Sequence, residues 1–278
     1  MTVKSILDQY HQSLNSLYSK EEITAIFYRL LAHYEGLTRL DVSLSPNVKI
    51  DDNKLLKALS LLKKVMPWQY IIGESEFYGI NFKVNQHILI PRPETEELVD
   101  WIIKDHSNFQ NLSILDIGTG SGAIAVSLAQ NLPDSKVSAM DISKEALAIA
   151  KQNAENQNLD IDFILTDVLN LTKLPKYFDI IVSNPPYVRE SEKALMHQNV
   201  LNYEPDNALF VPDDKALMFY DKIIELAINN RVKYVYFEVN EFLKSDVEAL
   251  LKYYNLNNYQ FKKDFFGKWR MLKIELPK

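Results

Sequence analysis

Three of the seven glycines in this 278-residue chain fall within five positions: Gly118, Gly120 and Gly122. Ordinary usage would place roughly 19 glycines in a chain this long, so the cluster stands in an otherwise glycine-poor sequence. The apolar run Ile114-Leu115-Asp116-Ile117 leads into Gly118-Thr119-Gly120-Ser121-Gly122, and Ala123-Ile124-Ala125-Val126 opens a helix. A strand, a glycine loop and a helix in that order set backbone N–H groups at a helix N-terminus. Missing Cβ atoms let a ligand approach the backbone closely. The arrangement points to a nucleotide or nucleoside cofactor; the simpler alternative is a tight turn that needs glycine for geometry alone. A P-loop is excluded, because no Lys-Ser or Lys-Thr follows the glycines.

The surroundings of the loop set the fold class. Apolar strands are expected at 112–117, 135–141, 161–165, 178–183 and 232–238, with helices at 121–130, 143–157 and 214–229. Such alternation predicts an α/β, Rossmann-like sheet, mostly parallel, with helices on both faces. Two more strands, near 257–263 and 269–275, flank Phe266-Gly267-Lys268 and read as an antiparallel edge hairpin, giving seven in all. Residues 1–67 read differently, as a small helical domain. Leu7, Tyr10, Leu14 and Leu17 share one helix face, and Ser19 with Glu22 has capping-box spacing before a stripe of Ile23, Ile26, Leu30 and Tyr34. Gly36 suits a helix end. Asp51 or Asp52 can cap a third helix that buries Leu55, Leu59, Leu62 and Met66, and Pro67 breaks the pattern. Residues 68–90 read as a β-hairpin linker. The second domain, 91–278, starts with Pro91-Arg92-Pro93 before a helix whose Leu98, Trp101 and Ile102 face inward.

Composition narrows the chemistry. With no cysteine, disulfides, thiolate metal sites and cysteine nucleophiles are excluded. His11, His33, His87, His106 and His197 share no metal-ligand spacing. The first residues lack an apolar signal core and no run approaches 18 apolar residues, so a cytoplasmic protein without a membrane span is expected. The net charge of −6 argues against a nucleic-acid substrate held along its phosphates. Residues 84–190, with 8 basic and 15 acidic side chains, account for the excess of acid.

Three acidic strand ends accompany the glycine loop. Asp141 ends the next strand, 21 residues after Gly120, where a carboxylate can hold ribose hydroxyls. That position serves NAD and S-adenosylmethionine equally well, and a solvated strand end is the plain alternative. Asp116 can orient a cofactor's methionine amino group indirectly, or simply bond turn amides. Asp167, with Val168, can flank an adenine ring, or act as a turn cap.

The motif that separates these choices is Asn184-Pro185-Pro186-Tyr187, after the apolar strand Phe178–Ser183. At ordinary frequencies this tetrapeptide arises by chance in about one in a thousand chains of this length. It stands at the carboxyl end of the fourth strand, where open α/β sheets bind ligands. A planar amide or aromatic amine nitrogen is a poor nucleophile because its lone pair is delocalised. Its N–H₂ offers two donors; the Asn184 side-chain carbonyl and the Pro185 backbone carbonyl can accept both. Asn184 and Pro185 each precede a proline and are held extended, and neither proline has an N–H to compete. Tyr187 can lay its ring against a flat acceptor group. The plain alternative is a rigid surface loop with a packed tyrosine.

Taken together, Ile90-Pro91-Arg92-Pro93-Glu94-Thr95-Glu96, the loop from Asp116 to Gly122, Asn184 to Tyr187 and Tyr203-Glu204-Pro205 resemble the protein-(glutamine-N5) methyltransferases of peptide chain release factors, within the class I S-adenosylmethionine-dependent methyltransferases. The resemblance spans the whole chain. It implies S-adenosylmethionine as cofactor and S-adenosylhomocysteine as product. The implied protein substrate is a class-1 release factor, modified on the glutamine of its Gly-Gly-Gln tip and engaged in part by the helical N-terminal domain. By the same resemblance, the cofactor site comprises Asp116, Gly118, Thr119, Gly120, Ser121, Gly122, Asp141, Asp167, Val168 and Asn184. Asn184, Pro185, Pro186 and Tyr187 form the substrate site, with Asn184, Pro185 and Tyr187 catalytic. The chain departs from the family at Asn229-Asn230-Arg231, where glycines are usual, and at Glu238-Val239-Asn240, where a Glu followed by a glycine-containing turn is more usual.

Other functions remain to be separated: a ribosomal-protein glutamine methyltransferase, an adenine-N6 nucleic-acid methyltransferase, and a non-catalytic module on the same fold. Arg92 suits a substrate contact or a hinge-fixing ion pair. Glu204 suits a cavity wall or a bond to backbone. Lys262, Lys263, Lys268 and Arg270 read as solvated strand ends.

Overall fold

The computed structural model describes residues 1–45 and 47–277. The chain forms two compact units, residues 1–74 with 197–203, and residues 75–196 with those from Glu204 onward.

In the first unit, helices α1 (Val3–Leu14), α2 (Lys20–Glu35), α3 (Arg39–Leu44), α4 (Asn53–Leu62) and α5 (Trp68–Ile72) surround one apolar core. Ser19 caps α2 by accepting from Glu22 N, and Gly36 ends it at φ 68°. Asp52 holds the cap position of α4, while Asp51 Oδ1 accepts from Asn53 N at 3.1 Å. The stripe on α1 is rotated from the expected one: Val3, Ile6, Tyr10 and Leu14 are buried, and Leu17 lies beyond the helix end and is exposed. Met66 likewise follows the end of α4 and is half-buried. Residues 68–72, read as the start of a hairpin, form α5 instead, closed by Gly73 at φ 74°. Trp68, Ile71 and Ile72 pack on the helical core, and five residues are too few for a period to declare itself.

A hairpin follows, β1 (Glu74–Phe77) and β2 (Ile80–Lys83), turned by Tyr78 and Gly79, both with positive φ. The second unit then contains helices α6 (Pro93–His106), α7 (Ala123–Asn131), α8 (Lys144–Asn156), α10 (Met218–Asn229) and α11 (Lys244–Tyr253); between them in sequence, α9 (Gln198–Tyr203) clusters with the first unit. Strands β3 (Ser113–Ile117), β4 (Lys136–Asp141), β5 (Asp162–Leu165), β6 (Ile180–Ser183), β9 (Tyr234–Glu238), β10 (Tyr259–Lys263) and β11 (Trp269–Glu275) form one sheet in the order β10-β11-β9-β6-β3-β4-β5. The short strands β7 (Val188–Arg189) and β8 (Phe210–Val211) pair separately. All pairings from β9 to β5 are parallel; β11 is antiparallel to both its neighbours, as the edge hairpin requires.

Strand alternation assigns each residue to a face. Ile114, Ile180, Val182 and Tyr236 join the core under α6 and α7, whereas Leu115, Ile117, Ile181, Val235 and Phe237 join the core under α10 and α11. Both faces are covered, which explains why the central strands read as continuous apolar runs. Among the described residues, no helix is long and apolar enough to cross a membrane.

The glycines of the loop have different tasks. A Cβ on Gly118 (φ 74°) or Gly120 (φ 54°) would meet nothing within 4 Å. At Gly122 (φ 81°) it would meet Ala150 Cβ at 3.1 Å, because α7 starts against the side of α8. We predict that Gly122→Ala costs about 1–2 kcal/mol from φ alone, lowering the unfolding midpoint by a few degrees in a thermal melt. An unchanged midpoint would show that the backbone at residue 122 relaxes out of its left-handed conformation at no cost.

Candidate active site

The carboxyl ends of β3, β4 and β6 and the segment after β5 converge on one cavity of about 240 Å³. Its floor is the glycine loop, whose Gly118 and Thr119 N–H groups donate to Met140 O at 2.8 and 3.0 Å. Gly118, Gly120, Asp141, Asp167 and Val168 line it, and so do Asn184, Pro185 and Pro186. Asp116, Thr119, Ser121 and Gly122 lie behind the lining. The Thr119 hydroxyl donates to Asp116 Oδ2 at 2.6 Å, and Ser121 O accepts from Asn153 Nδ2 at 2.9 Å. Asn153 also brackets the Lys83 backbone, accepting from its N at 2.7 Å and donating to its O at 3.0 Å, and so ties the glycine loop to β2. Its position on the inner face of α8 marks it as buried, but nothing in the sequence names its partners.

The three strand-end carboxylates differ. Asp141 accepts from Gly120 N through Oδ2 and from Ser143 N through Oδ1, both at 2.9 Å, while lining the cavity. Burial raises its pKa against the pull of these backbone bonds. Asp167 caps a short 3₁₀ turn, accepting from Leu169 N and Asn170 Nδ2, and lines the cavity as well. Asp116 is fully buried; its Oδ2 accepts from Thr119 and from Ala125 N, and its Oδ1 has no partner among the described residues. Desolvation pushes its pKa up to about 7. Apolar walls that the motifs did not identify include Leu89, Ile142, Phe219 and Ile223. Phe219 and Ile223 stand at i and i+4 on α10, a spacing that offered a signal.

A smaller cavity of about 130 Å³ adjoins the far side of the Asn184 loop. Asn184 and Pro185 line both cavities, and Tyr187, Arg92 and Glu238 line the smaller one. Glu238, at the end of β9, is buried and accepts two hydroxyl bonds: Thr95 Oγ1 to Oε2 at 2.5 Å and Tyr187 Oη to Oε1 at 2.8 Å. Asn184 Nδ2 donates to Thr95 Oγ1 at 3.2 Å. Burial raises the Glu238 pKa, opposed by the two hydroxyl bonds and by the charge of Arg270. Burial and then the Glu238 charge raise that of Tyr187. Arg270 is therefore no solvated strand end: its side chain is largely buried and pairs with the buried Asp264 at 3.1 Å. Lys262 also departs from that expectation, with its Nζ 3.8 Å from the Trp101 ring centroid. Arg92 pairs with Glu204 at 2.6 Å, and Glu204 Oε2 accepts from Ile90 N, so one buried carboxylate fixes the Ile90–Pro93 segment.

Both departures from the family pattern have local solutions. Arg231 takes the left-handed conformation (φ 53°) after α10. Asn240 Nδ2 donates to Tyr187 O at 3.1 Å and so fixes the Asn184 loop from behind.

Residues 95–208 match the model of the methyltransferase small domain. A release factor glutamine methyltransferase of Flavobacterium psychrophilum is 49% identical over 99% of both chains, and that of Bacteroides thetaiotaomicron is 43% identical over 94% of this chain and 95% of its own. The chain belongs to the release factor glutamine methyltransferase family. The fold of this methyltransferase also aligns with the human Mettl16 catalytic domain, solved in complex with the MAT2A 3′UTR hairpin 6. There the TM-score is 0.59 at 17% identity, covering 72% of this chain and 77% of that one. Human methyltransferase 10 domain containing protein aligns at a TM-score of 0.53 and 18% identity, over 71% and 90%. The seven-stranded, mostly parallel sheet of this chain and these two likenesses agree on the class I methyltransferase fold.

The buried Asp116 yields a pH prediction. Its folded pKa of about 7 exceeds the ordinary value near 4. Between those values the folded methyltransferase keeps a proton that the unfolded chain has lost, so this group makes stability fall as pH rises from about 4 to about 7. Asp116→Asn cannot titrate. Urea unfolding midpoints of the variant should decline less steeply over that range than those of the wild type. Parallel slopes would mean that Asp116 ionises normally in the fold.

Proposed function

We propose that this methyltransferase transfers a methyl group from S-adenosylmethionine to the side-chain amide nitrogen of the glutamine in the Gly-Gly-Gln motif of class-1 release factors, in the cytoplasm where those factors act. The observation that carries the reading is the wall of Asn184 and Pro185 shared by two cavities. One cavity has the fittings of a nucleoside cofactor, and the other has room for a flat polar group.

The residues present fit the cofactor. Gly118 and Gly120 leave open space over their backbones, Asp141 offers acceptors for ribose hydroxyls, Asp167 and Val168 flank the position for a base, and apolar side chains close the sides. Asp116 Oδ1, buried and without a partner, supplies an uncommitted acceptor behind the loop. When bound, S-adenosylmethionine supplies a methyl carbon on a positively charged sulfur.

On the acceptor side, Asn184 Oδ1 and Pro185 O take the two amide N–H bonds of glutamine. These two acceptors orient the nitrogen lone pair and favour its pyramidal form, in which that pair is available for attack. The nitrogen would form a bond to the methyl carbon as the S–CH₃ bond breaks to leave a neutral thioether, and would release one hydrogen as a proton. Tyr187, anchored through Glu238 and Asn240, gives the amide plane a surface. Because the prolines stiffen the loop before substrate arrives, little ordering is required at the moment of reaction. The helical first unit supplies a separate surface for engaging the release factor.

Incubation with a class-1 release factor and labelled cofactor should place one methyl group on the Gly-Gly-Gln glutamine, read by mass spectrometry of the tryptic peptide. Absence of label from every class-1 factor, with efficient transfer to a ribosomal protein or to duplex nucleic acid, would overturn the substrate assignment. Asn184→Ala should keep cofactor affinity within a few-fold and lose turnover by about a hundredfold or more, since its contact strengthens as the amide reacts. Calorimetry and single-turnover rates separate the two effects, and unchanged turnover would remove Asn184 from the mechanism.

A further inference from the structure

We propose that Thr95 and Glu238 are positioning residues that fix which end of the Asn184 side-chain amide faces the acceptor. This deepens the methyl-transfer reading and rests on it for its kinetic consequences.

The argument starts from donor and acceptor counting. An asparagine amide has an acceptor oxygen and a donor nitrogen of nearly the same shape. Only the oxygen is useful toward a glutamine N–H₂; the nitrogen would set donors against donors. Rotation by a half-turn exchanges the two, so something must bias the choice. Asn184 Nδ2 lies 3.2 Å from Thr95 Oγ1. A threonine hydroxyl can donate one hydrogen and accept others, so alone it would tolerate either amide end. Here its hydrogen is committed to Glu238 Oε2 at 2.5 Å, leaving Oγ1 only an acceptor role toward Asn184. The amide must then present N–H₂ to Thr95 and turn Oδ1 away from it.

Glu238 keeps this polarity because it accepts on both sides. Tyr187 Oη donates to the other carboxylate oxygen at 2.8 Å, so neither hydroxyl proton is free to reverse. Thr95 and Glu238 are sheltered, at 5% and 2% exposed, and Asn184 is half-buried. No water is needed to complete the chain Glu238, Thr95, Asn184. The elements are rigid as well, since Thr95 stands on α6, Glu238 ends β9 and Asn184 follows β6. Thr95 does not itself line the smaller cavity and reaches it through Asn184 and Glu238, which makes its role one of positioning.

The test uses the full chain. Thr95→Val keeps the shape and removes the hydroxyl; Thr95→Ser keeps the hydroxyl and removes the methyl. Side-chain ¹⁵N–¹H spectra of asparagine-labelled protein without cofactor should show one Asn184 Nδ2 proton slowed in solvent exchange, with the signal assigned by its loss in Asn184→Asp. That protection should vanish in Thr95→Val and return in Thr95→Ser. In methyl transfer to release factor, Thr95→Val should lower kcat about tenfold to a hundredfold with the release-factor KM within a few-fold, and Thr95→Ser should restore most of kcat. Glu238→Gln offers one oxygen to two hydroxyls and should weaken the same protection. Unaltered exchange and kcat in Thr95→Val would overturn the proposal, as would a Thr95→Ser variant no better than Thr95→Val. If the wild type fails to methylate release factor, the functional reading falls, while the exchange measurement still decides the amide orientation.

Discussion

Parallel pairing of β3, β6 and β9 in a single register determines where the chemistry of this chain can stand. Ile117 lies opposite Ser183, and Ser183 opposite Phe237. The residue after each strand's last paired position therefore falls at the same edge of the sheet. There the chain has Gly118, Asn184 and Glu238. Alternation adds a second constraint. Asn184 has the parity of Val182, and Glu238 that of Tyr236, so both face the side covered by α6, where Thr95 is waiting. A one-residue slip of β6 would turn Asn184 toward α10 and bury its amide without a partner. Packing and chemistry thus depend on the same alignment, and the apolar core that specifies the register also aims the polar groups.

Burying carboxylates at that edge is costly, and the structure offsets the cost group by group. Glu238 accepts from two hydroxyls and lies within reach of the Arg270 charge. Arg270 is itself held by Asp264. Glu204 is satisfied by Arg92 and the Ile90 amide. Asp116 is the exception, with one oxygen lacking a donor, and burial raises its pKa accordingly.

Much of this was legible in the sequence, for identifiable reasons. The alternating strands and helices of the second unit were readable because each central strand is buried on both faces. The Asn184 loop was readable because two prolines and an asparagine are rarely placed together without a geometric need. The short helices α3 and α5 were not, since neither completes two turns of periodic pattern. Arg270 was misjudged because a strand-end arginine in the sequence gives no hint of a buried aspartate six residues earlier folding back on it. Glu238 was quoted only as the residue before a departure from a pattern. The parity of Tyr236 would have placed it indoors, but its partners, Thr95 and Tyr187, are 143 and 51 residues away. Long-range polar pairing leaves no periodic trace.

The stiffness of the Asn184 loop gains its meaning from the two cavities it separates. In the proposed transfer, a flexible loop would first have to order its acceptors around the amide, and that ordering would subtract from any preference for the reacting form of the nitrogen. Prolines fix the backbone carbonyl of Pro185, but they do nothing for the side chain of Asn184, which retains its own rotation. That remaining freedom is removed from the opposite side, by a hydroxyl whose single hydrogen is already spoken for by a buried carboxylate. Backbone rigidity and side-chain polarity are thus set by different parts of the chain, the first by local sequence and the second by tertiary contact. A loop with the same four residues on a sheet lacking Thr95 and Glu238 would keep the first property and lose the second.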